Sequence, residues 1–446
     1  MTHVSPWQLR AAFARRLSDM YGAEVPAYTT LLEVSHAVNA DVVAARGADA
    51  ERLGSLDRVT AERHGAIRLG TPREMTQVAS VFGAMGMHPV GFYDLRETAS
   101  AVPVISTAFR PVDADELARN PFRVFTSMLT TADRRFFSAD LQARLESFLA
   151  AREVFPPRLL ALAGRAEAEV GLGATDAEEF LTLAVAAFEL SAEPVDRAWY
   201  DELEAVSAVA ADIGGVRSTH VNHLTPRVLD IDDLYARMSG RGITMIDDIQ
   251  GPPAWEGPDV LLRQTSFRAL DEPRAFRQPD GTVTHDALRV RFGEVEARGV
   301  ALTPAGREVY DRAVAEVAGR GLATAEQRHA AKLEVWRRDL PATEAGLAER
   351  GLAYFTYDLV DDEVVRTPVV YEDFLPQSAA GIFASNLSHD GVRDLDQAGV
   401  ERDADWLAGA IGRDLHDPFE MYAAQSSASR ARVAAELGVA PEAVGP

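Results

Sequence analysis

The sequence predicts an α+β protein in which two similar βαβββ modules form a curved mixed sheet, with a helical insertion between them and helical flanks. The main observation is a repeated unit, "RHGAIRLGTPREMTQVASVFGAMGM" at 63–87 and "NHLTPRVLDIDDLYARMSGRGI" at 222–243. Each unit has an early histidine, an arginine four residues after it, and a polar turn that leads into a helical pattern. Three strand-like runs follow each unit, and similarity that returns in a fixed order indicates a duplicated module.

The order of elements follows from apolar spacing and helix caps. Leu9, Phe13 and Leu17 recur at a spacing of four and predict a helix near the N-terminus. Thr71 and Pro72 predict another helix start, because threonine caps free N–H groups and proline at the first position loses no hydrogen bond. The predicted divisions are N-terminal helices at 1–60, a first βαβββ module at 61–130, a helical insertion at 131–212, a second βαβββ module at 213–300 and a mostly helical C-terminal region at 301–446.

The second module and the helical insertion can be described in more detail from the sequence. The later strands of the second module are predicted within 244–251, 259–270 and 287–299, where strand-like runs occur. The helical insertion is interpreted as scaffold, because its pattern shows no chemistry.

Composition excludes several kinds of partner and site. The net charge of −23 argues against nucleic acid and anionic membranes, because both would repel the protein. The chain has no cysteine, so a disulfide or a zinc–thiolate site is excluded and any metal must be bound by His, Asp or Glu. No apolar run approaches the ~20 residues of a membrane span, and no signal peptide is visible. We therefore expect a cytoplasmic protein, and the sequence leaves its oligomeric state open.

Two of the ten histidines, His64 and His223, occupy matching positions of the repeat. If the two modules pair their sheets, these histidines approach one another, and with one carboxylate they can form a facial triad that leaves open positions on iron(II). The carboxylate is expected from "RFGEVEARG", where Glu294 and Glu296 share a strand face. We favour Glu294 and keep Glu296 as the alternative. His220 precedes His223 by three residues, so a regular strand would turn it to the opposite face and remove it as a ligand, whereas a bend before Asn222 would reopen that choice.

Arginines near these residues have two interpretations each. The glutamate that does not bind metal is expected to pair with Arg289, Arg291 or Arg298. Arg68 shares the strand face of His64, about 13 Å further along at ~3.3 Å per residue. Its guanidinium could bind a substrate carboxylate through two parallel hydrogen bonds, or it could be a structural arginine paired with an acid of the protein.

At these residues the chain resembles the vicinal oxygen chelate superfamily, and more closely the 2-oxoadipate dioxygenase/decarboxylase family, also called 2-hydroxyglutarate synthase. The motifs that carry the resemblance run in order over roughly residues 60–390. They are "RHGAIR", "NHLTPR", "LLRQTSF", "RFGEVEARGVALTPAGR" and "YEDFLPQSAAGIFASNL".

The resemblance implies a role for each candidate residue. It implies that iron(II) is bound by His64, His223 and Glu294. It implies that Arg68 is the catalytic and substrate-binding residue that holds the distal carboxylate. It further implies a substrate wall near 371–390, to which Ala384 and Ser385 contribute.

The implied reaction is oxidative decarboxylation and hydroxylation of a 2-oxo dicarboxylic acid by O2, with 2-oxoadipate giving 2-hydroxyglutarate and CO2 in lysine catabolism. One alternative is another metalloenzyme of the superfamily. It could be an isomerase, for which Glu296 would supply a second carboxylate to move protons, or a ring-cleaving dioxygenase. The other alternative is a metal-free protein that binds a small molecule.

Overall fold

The computed structural model of the chain describes residues 3–47, 50, 52, 54–98, 101–269, 272–288, 291–375 and 393–445. The helices are α1 (Pro6–Glu24), α2 (Pro26–Arg46), α3 (Leu56–Ala61), α4 (Pro72–Gly83), α5 (Ala114–Arg119), α6 (Ala139–Ala150), α7 (Pro157–Glu169), α8 (Ala174–Ala186), α9 (Arg197–Glu204), α10 (Ala208–Gly214), α11 (Ile231–Gly240), α12 (Pro304–Gly319), α13 (Ala325–Asp339), α14 (Glu344–Glu349), α15 (Ala404–Ile411) and α16 (Pro418–Leu437).

The strands lie between groups of these helices along the chain. The strands are β1 (His3–Val4), β2 (Arg63–Leu69), β3 (His88–Asp94), β4 (Val104–Arg110), β5 (Arg123–Leu129), β6 (Leu172–Gly173), β7 (Val195–Asp196), β8 (Val221–Pro226), β9 (Leu262–Phe267), β10 (Glu272–Arg277), β11 (Val283–Leu288), β12 (Gly293–Arg298), β13 (Phe355–Val360) and β14 (Glu363–Pro368). Short 3₁₀ turns cover Leu95–Glu97 and Pro441–Ala443.

The central sheet is built around β2 and β8, the strands that carry the repeated histidines. Its strand order is β3-β4-β5-β2-β8, with β2 parallel to β5 and antiparallel to β8. Beyond β8 lies β12, since the Val228 N–H donates to the Glu296 carbonyl oxygen at 2.8 Å, and β12 pairs antiparallel with β9. The predicted α+β fold is confirmed, and the two histidine strands lie side by side.

The two faces of the sheet have different surroundings because side chains alternate along each strand. Ile67 and Leu69 of β2 point to one face, where they belong to the same apolar core as the buried side chains of α1. Leu9, Phe13 and Leu17 all lie in that core, as the helical spacing predicts. His64 and Arg68 point to the opposite face. These two polar side chains of β2 therefore lie on the face away from the α1 core.

Helix α4 begins as predicted. The Thr71 hydroxyl accepts a hydrogen bond from the Glu74 N–H, and Pro72 is the first helical residue. This cap fixes the turn that directly follows β2.

Residues 244–251 were predicted to be a strand, and this prediction is wrong. They make only isolated bridges, Met245 with Phe267 and Gln250 with Gln264. The segment contains adjacent aspartates and is followed by two prolines; aspartate is rare in strands and proline lacks the N–H that a ladder needs.

Two hairpins occur where the sequence pattern did not predict them. The β10–β11 hairpin lies between β9 and β12, and β11 is mostly exposed. The β13–β14 hairpin lies in the C-terminal region that was predicted to be mostly helical. Its turn places Asp361 and Asp362 at positive φ, a conformation typical of two-residue hairpin loops.

Among the described residues, none of the helices has both the length and the apolar character that crossing a membrane requires.

The start of β12 gives a test of the fold. A Cβ atom at Gly293 would lie 1.8 Å from the Phe267 ring, and Phe267 is buried in the core. Gly293→Ala should therefore lower the free energy of unfolding by about 1–3 kcal/mol, the usual effect of overpacking. Urea denaturation measures this. Gly240→Ala is the control, because nothing lies within 4 Å of that position; equal stability of both variants would contradict the packing described here.

Candidate metal centre

His64, His223 and Glu294 meet on the face of the sheet opposite the α1 core. Their potential ligand atoms all lie within 4.8 Å of one another, and all three side chains are buried. The His64 Nε2 lies 3.4 Å from Glu294 Oε1, and the His223 Nε2 lies 3.6 Å from Glu294 Oε2. Two ligands at right angles around an ion about 2.1 Å away would be about 3 Å apart, so the spacing fits one metal ion.

Each of these side chains has a second polar partner behind it. The His223 Nδ1 shares a hydrogen bond of 2.9 Å with the Thr225 hydroxyl. The Gln264 amide donates to Glu294 Oε1 at 2.5 Å. The His64 Nδ1 lies 3.1 Å from Glu296 Oε2. Thr225 thus bonds the His223 Nδ1 and Glu296 lies beside the His64 Nδ1, while both Nε2 atoms lie within 3.6 Å of Glu294, on the side where a metal would bind.

Burial and charge act differently on the three groups. Burial lowers the pKa of His223 well below its usual value, and the charges of His64 and Arg68 lower it further. This imidazole is therefore neutral near pH 7, the form that binds metals. Burial also lowers the pKa of His64, but Glu296 and Glu294 outweigh burial and the net shift is upward. Burial raises the pKa of Glu294, so a cation would stabilise its ionised form.

Glu296 belongs to a buried ion network instead of the three-residue cluster. Both of its oxygens accept hydrogen bonds from Arg298, at 2.7 and 2.9 Å. Burial would raise the pKa of Glu296, but Arg298 and His64 hold it at about 2. Arg298 also lies 3.5 Å from Glu62, which is paired with Arg123. Of the arginines predicted to take this role, the structure therefore selects Arg298.

Neither of the other two arginines is shown to pair with Glu296. Arg291 pairs with Glu24 and Glu272. Arg289 lies outside the described residues.

Aromatic rings shield the cluster on both sides. The Phe374 ring meets His64 edge-on, with centroids 4.9 Å apart, and also contacts Phe125. The Phe292 ring stacks on His223 at 5.1 Å. This apolar wall keeps the cluster at low solvent exposure, which strengthens its electrostatic interactions.

Arg68 lies on the same face of β2 as His64, but its guanidinium binds Asp212 instead of the three-residue cluster. Its Nη1 donates to Asp212 Oδ2 at 2.5 Å, and both residues are buried. His220 lies at the same carboxylate, 3.3 Å from Asp212 Oδ1, and not in the three-residue cluster. Ala384 and Ser385, the predicted substrate wall, lie outside the described residues.

Several residues of the site were missed by sequence analysis. Thr225 had a usable signal, because it lies two residues after His223 on the same strand, whereas Gln264 had only its place in the motif "LLRQTSF". Asp212 had none, because it lies in the helical insertion, which was interpreted as scaffold. Phe374 gave no signal beyond its place in a motif of the resemblance.

Comparison with known proteins gives a consistent result. The family model described as 2-oxoadipate dioxygenase/decarboxylase matches residues 13–386. A Mycobacterium bovis protein named 2-oxoadipate dioxygenase/decarboxylase is 60% identical over 423 residues, or 95% of this chain and 97% of that protein. An Escherichia coli protein of the same name is 38% identical over 451 residues, or 95% and 97%.

A solved structure extends this similarity to three dimensions. The Pseudomonas putida hydroxyglutarate synthase in complex with 2-oxoadipate superposes with a TM-score of 0.86 at 37% identity. The match covers 98% of this chain and 99% of that one.

Substitution of Glu294 and substitution of Glu296 should have different effects on metal binding. Glu294→Gln should retain almost no divalent metal under conditions that saturate the unmodified protein, because an amide replaces the charged ligand. Glu296→Gln should bind metal about 10–100-fold more weakly, the usual cost of removing a partner behind a ligand. Metal content after equilibrium dialysis, measured by elemental analysis, gives both values.

The histidines provide the control for this experiment. His64→Ala and His223→Ala should each lose the metal, whereas His220→Ala should keep it. Loss of metal in His220→Ala with retention in His223→Ala would move the ligand three residues upstream.

Proposed function

The chain belongs to the 2-oxoadipate dioxygenase/decarboxylase family, and from this membership we propose that it is a non-haem Fe(II) enzyme acting on a 2-oxo dicarboxylic acid. The proposed substrate is 2-oxoadipate and the proposed products are 2-hydroxyglutarate and CO2. The observation that carries the proposal is the buried cluster of two imidazoles and one carboxylate. The complex of the Pseudomonas putida relative with 2-oxoadipate supports the substrate.

The donor set favours iron(II) among the divalent metals. Two histidines and one carboxylate on one side of the ion are typical of non-haem Fe(II) oxygenases, and they leave the remaining positions open. When bound, iron(II) supplies the redox chemistry that O2 requires. The protein would hold this ion through His64, His223 and Glu294.

The proposed reaction balances without another reductant. The C1 carboxylate leaves as CO2, the former keto carbon becomes the new carboxyl group with one oxygen atom, and the adjacent carbon gains a hydroxyl group with the other. The four electrons that reduce O2 all come from the substrate.

The residues of the chain would bind, orient and shield the substrate. Arg68 would hold the distal carboxylate, as a guanidinium can do through two parallel hydrogen bonds. Phe374 and Phe292 would exclude water from the reacting end, because their rings pack directly against His64 and His223.

The alternatives are less well supported. An isomerase would need a second carboxylate that takes up and releases protons, but Arg298 binds Glu296 and holds its pKa at about 2. A metal-free binding protein would have no need for two Nε2 atoms directed at one carboxylate. The cytoplasmic location and the role in lysine catabolism form part of this proposal.

Oxygen uptake tests the proposed function directly. Protein loaded with iron(II) under anaerobic conditions is mixed with O2 and a panel of 2-oxo acids, and O2 uptake and CO2 release are measured together. We expect equal amounts of both, with 2-oxoadipate the best substrate. Turnover without O2 uptake would favour an isomerase, and protein that retains no iron after anaerobic loading would favour a metal-free binding protein.

Arg68→Ala should remove the preference for a dicarboxylic acid. Loss of one partner of a buried charged pair costs about 2–5 kcal/mol, so kcat/KM for 2-oxoadipate should fall about 30-fold to several thousand-fold. Iron content should stay unchanged, and 2-oxohexanoate, which lacks the distal carboxylate, should be affected far less. Arg68→Lys should recover part of the loss, since lysine offers a point charge only. Equal losses on both substrates would mean that Arg68 does not bind the distal carboxylate.

A further inference from the structure

Asp212 lies where a substrate carboxylate would be expected, bound to the same arginine. Besides Arg68, its Oδ2 accepts a hydrogen bond from the Asn222 amide at 2.9 Å, and its Oδ1 lies 3.3 Å from the His220 Nε2. Asp212 is only 4% exposed. Burial would raise the pKa of Asp212, but His220 and Arg68 outweigh burial and the net shift is downward. Asp212 is thus an ionised carboxylate inside the protein.

The helix that carries Asp212 is held rigidly. All residues of α10 are buried. Beyond Asp212, the Ile213 carbonyl accepts a hydrogen bond from Arg152 at 2.6 Å, and the Gly214 carbonyl accepts one from the Trp199 indole at 2.9 Å. Because α10 cannot move freely, Asp212 fixes the guanidinium that it binds.

A neutral imidazole and a second guanidinium lie around Asp212. Burial lowers the pKa of His220 to about 4, so this imidazole is neutral near pH 7. Arg274 is a second buried guanidinium, and its attraction to Asp212 opposes the effect of burial on its pKa. Within the described residues, Arg274 has no carboxylate at ion-pair distance. Asp212 therefore interacts with two guanidinium groups, with Arg68 at hydrogen-bond distance and with Arg274 through a longer-range attraction.

We propose that Asp212 is a positioning residue that determines specificity: it holds Arg68 at a fixed distance from the metal cluster and thereby selects the chain length of the dicarboxylic substrate. This inference rests on the proposed function. Arginine has a long side chain with many rotamers, so an unfixed guanidinium could follow the distal carboxylate of a shorter or longer acid. With Asp212 in place, only one length lets the distal carboxylate reach Arg68 while the 2-oxo acid end reaches the metal. The helical insertion then contributes to specificity.

Asp212→Asn tests this inference, because it keeps the shape and removes the charge. Steady-state kinetics are measured with 2-oxoglutarate, 2-oxoadipate and 2-oxopimelate, which differ by one methylene each. The preference for 2-oxoadipate over its neighbours, expressed as a ratio of kcat/KM, should fall about tenfold. The KM for the diacids should not rise, since a competitor for Arg68 has been removed, and the loss should appear in kcat. Values for 2-oxohexanoate should change less than twofold.

Asp133→Asn is the matched control. Asp133 is also a buried aspartate paired with arginines, Arg96 and Arg135, but it has no contact with Arg68. This variant should lose stability and keep the length preference. Asp212→Glu covers the case in which Asp212→Asn does not fold: its longer arm keeps the charge and should shift the preference toward 2-oxoglutarate.

The outcomes are separable. An unchanged length preference in a folded Asp212→Asn or Asp212→Glu variant would overturn the positioning role while leaving the proposed function intact. Wild-type protein that oxidises none of the diacids would overturn the proposed function, and this inference with it.

Discussion

The antiparallel pairing of β2 with β8 is the contact on which the site depends. In this register His64 lies opposite Thr225 and Ala66 lies opposite His223, so both imidazoles emerge on one face of the sheet. β12 follows on the far side of β8 and adds Glu294 to the same face. Because side chains alternate along a strand, a shift of either strand by one residue would place its histidine on the other face of the sheet. The three side chains would then no longer be close enough to bind one metal ion. Sheet register, more than any single side chain, therefore defines the candidate centre.

Burying these groups requires a network of opposite charges behind them, since an unpaired buried charge is strongly destabilising. Glu296 provides the first link, between His64 and Arg298. Arg298 then donates to the backbone carbonyls of Tyr371 and Asp373, at 2.9 and 3.0 Å. The candidate centre is thus connected to the C-terminal region through Arg298 as well as through the ring contact of Phe374 with His64. Residues far apart in sequence therefore contact the same candidate centre.

Sequence patterns predicted the strands that carry the candidate centre, β2, β8 and β12, but not the irregular segment 244–251 or the β10–β11 hairpin of the second module. The matching positions of His64 and His223 in the repeat predicted two paired modules. Strand periodicity predicted that Glu294 and Glu296 lie on one face of their strand. The pattern could not decide which glutamate joins the histidines, because that choice depends on where Arg298 reaches in three dimensions. It missed Asp212 for a related reason. A helix buried on all sides has no polar face whose periodicity would mark one residue as functional, so its role follows only from tertiary contacts.

The position of a bound metal would show directly whether His64, His223 and Glu294 are its ligands. Crystals of the protein loaded with iron(II) under anaerobic conditions would be measured on both sides of the iron absorption edge. We expect one anomalous peak, about 2.1 Å from each of the two Nε2 atoms and from a Glu294 oxygen. A peak beside His220 and Asp212, or a peak that includes Glu296 in place of Glu294, would show that His64, His223 and Glu294 are not the ligand set.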